Sequence, residues 1–83
     1  MFLLSYRPPR GTRIYANGGA LRPTADKAAA QVLHVLARRG QNGPAAVAFA
    51  RRVRDTVGHD VTHEPTGITF RVDRAHASES ATT

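Results

Sequence analysis

The sequence predicts an α+β fold: an N-terminal β-hairpin, two antiparallel α-helices and a C-terminal β-hairpin, packed as a two-layer sheet plus helices. Three observations carry this. Both ends of the chain hold paired short runs of aromatic and β-branched residues separated by turn sequences. Between them lie two alanine-rich segments whose apolar residues recur at helical spacing. The breaks between segments are brief and marked by glycine or proline, which favours antiparallel neighbours.

Phe-Leu-Leu-Ser-Tyr at 2–6 and Thr-Arg-Ile-Tyr-Ala at 12–16 read as the first two strands. Arg7-Pro8-Pro9-Arg10-Gly11 between them is a turn signal, and Asn17-Gly18-Gly19 ends the hairpin. Thr24 is placed as an N-cap, and the helical pattern runs from there to Arg39, with Gly40 as its stop. Ala25, Ala28, Ala29, Val32 and Leu36 form the inner stripe. Lys27, Gln31, His34 and Arg38 lie opposite, and Leu33 and Val35 flank the stripe. Gln41-Asn42-Gly43-Pro44 breaks the chain, with Pro44 at the first position of a second helix over 44–57. Its inner face is Ala46, Phe49, Ala50, Val53 and Val57; Ala48, Arg51, Arg52 and Asp55 point away. Strands at 60–64 and 68–73 flank Glu64-Pro65-Thr66-Gly67, a type I turn candidate. The expected core is Val32, Leu36, Phe49, Val53, Ile68 and Phe70.

A chain of 83 residues has room for one domain, placed at 1–74. Residues 75–83 are rich in Ser, Thr and Ala without periodicity and are expected to be a disordered tail. So small a domain buries about 60% of its unfolded surface. It has no cysteine to staple it, so a homodimer is expected on stability grounds. The apolar run Phe2-Leu3-Leu4 is too short for a signal peptide or a membrane span. A cytoplasmic location in a bacterium or phage is the expectation.

Eleven of the twelve basic residues are arginine, only Lys27 is lysine, and the formal net charge is +6. Guanidinium groups suit phosphates and guanine edges, so nucleic acid is the first partner expected. Arg51, Arg52 and Arg54 on the second helix are the leading candidates, because Ala48 beside them lets a backbone or groove approach. Arg7, Arg10 and Arg13 around the two prolines form a candidate arm of the kind that enters a minor groove. Arg38 and Arg39 sit at a helix end. If both groups work, they are expected to act together as arm and reading helix. The plainer reading is that Asp55 pairs with Arg51 at i,i+4, the rest form a solvated face, and arginine bias follows from a GC-rich genome. Tyr6 and Tyr15 are the only hints of a stacking platform, so duplex DNA is favoured over single strands.

The helix–short turn–helix–hairpin order over 24–73 resembles part of a winged helix–turn–helix, without its third helix. That likeness is architectural; a role in transcription regulation is expected from the nucleic-acid reading. Pro9-Arg10-Gly11 resembles an AT-hook in part, lacking the Arg-Gly-Arg-Pro order. The alternative is a protein-binding adaptor or inhibitor working through the alanine-rich helices. A third reading follows from resemblance to the small ribosome-dependent toxins of toxin–antitoxin modules, which are basic and of similar length. It implies a ribonuclease; on the residues themselves, His59 or His63 could serve as acid/base beside Arg71, with the tyrosines helping. No complete catalytic set is visible, and a non-enzymatic protein without cofactor or metal is expected. His59 and His63 read as surface positions about 13 Å apart along a strand. Gly18-Gly19 lacks the spacing of a phosphate-binding loop.

Overall fold

The computed structural model describes residues 1–75. Its elements are β1 (Phe2–Arg7), β2 (Ile14–Tyr15), α1 (Ala25–Ala37), α2 (Pro44–Asp55), β3 (Val61–His63) and β4 (Ile68–Arg74). All strand pairs are antiparallel, and the four strands form one sheet in the order β2-β1-β4-β3. The α+β expectation is met. The two longest strands lie in the middle, paired from Phe2↔Arg74 to Arg7↔Thr69.

Alternation along the strands decides which face is covered. Leu4, Val61, Ile68, Phe70 and Val72 turn toward the helices and join Ala28, Val32, Leu36, Ala46, Ala50 and Val53 in one core. Ser5, Thr62, Thr69 and Arg71 alternate to the other face, which carries no helix among the described residues. Ser5 and Thr69 are nonetheless buried. Arg13 covers Ser5, donating from Nη1 to its Oγ at 2.6 Å, and Thr62 and Thr69 share a 3.0 Å hydroxyl contact. Alanines 28, 29, 46 and 50 are buried where the helices meet.

Of the expected core, Val32, Leu36, Val53, Ile68 and Phe70 are fully enclosed, together with Leu4 and Val72. Phe49 is only partly buried. Its ring stands edge-on to Phe70 at 5.5 Å and to His63 at 4.7 Å. His63 therefore belongs to the covered face, contrary to its reading as a surface residue. Alternation puts it beside Val61 rather than Thr62, and its Nδ1 meets Thr66 Oγ1 at 2.9 Å.

The helix ends follow local chemistry. Thr24 Oγ1 accepts from the Lys27 N–H at 3.1 Å, as an N-cap should. At the other end Gln41 N–H donates to Leu36 C=O (2.9 Å) and Gly40 N–H to Ala37 C=O (3.1 Å). With Gly40 at φ 75, this is the six-to-one, five-to-two pattern of a Schellman stop. In α2, Pro44 takes the first turn, and the helix ends at Asp55, short of the expected 57.

The hairpins differ from expectation in detail. Strand β2 is two residues long instead of five. Beyond it Asn17 and Gly18 are both left-handed, which few residues other than asparagine and glycine adopt readily. The β3–β4 turn closes from His63, not Glu64: Thr66 and Gly67 N–H both donate to His63 C=O. Gly67 sits at φ 74, and a Cβ there would lie 2.7 Å from Pro9 Cγ. The tip of one hairpin thus rests on the turn of the other. Ala75 N–H donates to Met1 C=O at 2.8 Å; the rest of the expected tail, 76–83, lies outside the described residues.

Candidate nucleic-acid interface

The eight arginines singled out by the sequence occupy three different settings. In the first, the charge is already answered. Arg54 Nε donates to Asp55 Oδ1 at 2.9 Å and Nη1 to Asp26 Oδ1 at 3.4 Å. The Asp55 contact raises the guanidinium pKa further, and the same bond holds the Asp55 carboxyl below its ordinary value. Asp55 thus pairs with its chain neighbour Arg54 and not with Arg51. Arg13 is also occupied, by Ser5 and by Asp60 (Nη2–Oδ1 3.6 Å).

In the second setting, Arg51 and Arg52 are exposed on the last turns of α2, with no carboxylate partner among the described residues. Arg51 borders a shallow groove floored by Ala29, Ala30, Leu33, Val47 and Ala50.

In the third setting Arg10, Arg38 and Arg39 gather where the 8–13 loop projects and α1 stops; Arg7, at the end of β1, alternates with Ser5 to the other face of the sheet. All four are exposed and without an ion-pair partner among the described residues. Arg10 and Arg39 line one shallow cleft with Pro8, Pro9 and Gly11. Arg39 and Arg38 line a second, more enclosed cleft of ≈ 210 Å³ beside Tyr6, Ile14 and Val35. The loop is held in shape by the Gly11 N–H to Pro8 C=O bond (3.2 Å) and by Pro9 against Gly67.

The second and third settings do not converge. Arg54 meets Asp26 at the start of α1, whereas Arg38 caps its end, and 13 helical residues span about 20 Å. The arm and the reading helix expected to act together are therefore set apart: Arg10 lies beside Arg39, and Arg51 and Arg52 are on α2. Sequence spacing could not show this, because it depends on the antiparallel return of α2.

Nor are the residues of the ribonuclease reading assembled. His63 lies under α2, while Arg71 is on the opposite face of the sheet, donating from Nε to Asp73 Oδ1 at 2.8 Å. His59 is exposed in the loop before β3. Arg22 and Gln31 were not singled out. With its amide oriented to its donors, Gln31 Oε1 accepts from Arg22 Nε (2.8 Å), Arg22 Nη2 (3.1 Å) and Asn17 Nδ2 (2.9 Å). Gln31 is accordingly buried, on a helix face that periodicity assigns to solvent.

Compared with protein-family models, curated proteins and solved structures, the chain has no significant match. Among the described residues, no helix is long and apolar enough to cross a membrane.

Proposed function

We propose that this protein binds nucleic acid, duplex DNA foremost, through the end of the molecule that carries Arg7, Arg10, Arg38 and Arg39. The supporting observation is that Arg10, Arg38 and Arg39 share one end of the fold and, like Arg7 at the end of β1, have no carboxylate partner among the described residues. Phosphate contacts by such groups supply affinity and register. The braced Pro8-Pro9 loop offers Arg10 on a finger whose ordering cost is met before binding. In a winged-helix arrangement α2 would be the reading helix and β3–β4 the wing. Neutralisation of Arg54 leaves only Arg51 and Arg52 for that role, so the loop end is preferred. A regulator acting as a homodimer, in a bacterial or phage cytoplasm, is the setting proposed.

A salt titration of duplex binding tests this. Replacing Arg38 and Arg39 together by alanine should lower the log–log salt slope by about two units, near 0.9 per lost phosphate contact. The Arg51→Ala, Arg52→Ala pair should leave the slope unchanged. The reverse result would return the interface to α2.

The second reading is a protein-binding adaptor or inhibitor, and the α1–α2 groove favours it. Val47 is 39% exposed there, beside Leu33 and Ala30. If no nucleic acid is retained at low salt, while Val47→Asp releases a co-purifying protein, the adaptor reading replaces the first.

A further inference from the structure

The cleft between the second half of α1 and the first hairpin has two chemically distinct sides. One is apolar: Tyr6 and Val35 are half-buried, and Ile14 is 42% exposed on the short edge strand. The other is cationic, with Arg38 and Arg39 at the rim. His34 and Gln31 also line the cleft. An apolar slot beside unpaired guanidiniums, with hydrogen-bonding side chains at its edge, suits a planar ring carrying a phosphate. It does not suit a smooth duplex surface, whose bases are stacked away from side chains.

We infer that this cleft is a nucleotide pocket, which takes one unpaired base against Tyr6, Ile14 and Val35 and its phosphate on Arg38 and Arg39. The inference rests on the proposed basic end, since the two arginines serve both. It adds that the contact includes a base as well as a backbone. The base can come from an unpaired position in a strand or from a free mononucleotide.

Two-dimensional amide NMR of the full chain, titrated separately with AMP and with inorganic phosphate, tests the pocket. AMP should move the amides of Tyr6, Ile14 and Val35 and bind about tenfold tighter than phosphate; phosphate should move only the region of Arg38 and Arg39. Ile14→Asp, at an exposed position that tolerates a polar side chain, should abolish the AMP-specific shifts while retaining those of phosphate and the wild-type melting temperature. If AMP and phosphate give the same shifts and affinity, or if Ile14→Asp leaves AMP binding intact, the pocket is refuted.

The source is then resolved with a blunt duplex and one bearing a short single-stranded overhang. Loss of affinity in Ile14→Asp for AMP and for the overhang, with the blunt duplex unchanged, assigns the base to a strand. Loss for AMP alone assigns it to a free nucleotide. Loss for neither overturns the inference. The proposed basic end is judged separately, by the salt slope on the blunt duplex.

Discussion

At the scale of single residues, the most constrained position is Gly67. Its φ of 74 disfavours any side chain, and Pro9 Cγ occupies the space a Cβ would need. Gly67→Ala is expected to cost about 1–3 kcal/mol, from the left-handed backbone together with the displaced proline. The midpoint of urea unfolding measures this, and the loss should shrink in a Pro9→Ala background, where only the backbone part survives. Asp55 gives a pH signature. Its folded-state pKa is depressed by the hydrogen bond from Arg54. The contribution to stability is therefore present above the unfolded carboxylate value, about 4, and is lost as pH falls through the lower folded value. Asp55→Asn should flatten that part of the acid limb in a melting-temperature series from neutral pH downward. Glycine signals such as Gly40 and Gly67 are legible in sequence because few other residues hold φ > 0. The burial of Gln31 is not: it depends on Arg22, nine positions away and brought close by its backbone pairing with Phe2.

At the scale of elements, α1 was the most legible. The Thr24 cap and the Gly40 stop act within a few residues of themselves, so their chemistry is local. The strands were less so. Thr12 and Arg13 have strand composition, yet β2 begins at Ile14, because only Ile14 and Tyr15 find backbone partners on β1. Arg38 and Arg39 also have a structural role, since cations complement the negative end of a helix dipole. Their joint replacement by alanine should lower stability by about 0.3–2 kcal/mol, seen as a small fall in thermal midpoint. That effect is distinguishable from the change in salt slope, because it should persist in high salt only weakly and should not depend on DNA. The candidate site was legible as a list of arginines and illegible as a place. Which of them are neutralised depends on Asp26 and Asp60 arriving from other elements.

At the scale of the whole molecule, one core joins both hairpins and both helices around Phe70, which is fully enclosed. It sits in the central strand β4, in contact range of Tyr6 at 5.9 Å and Phe49 at 5.5 Å between ring centroids. Phe70→Ala should cost about 3–5 kcal/mol, a large share of what a domain this small can hold. Loss of a cooperative thermal transition in this variant is the expected observation; an unchanged melting curve would show that the two hairpins do not depend on a shared centre. The hydrogen bond between the Met1 carbonyl and the Ala75 amide has a topological consequence. Residues 1 and 75 lie side by side, so a variant cut after Ala75 and joined to Met1 by a short peptide would have its backbone closed into a ring. Such a ring could be reopened at the Gly40–Gly43 link while every strand kept its neighbours. The architecture therefore permits a different chain order, with new termini placed beside Arg38 and Arg39.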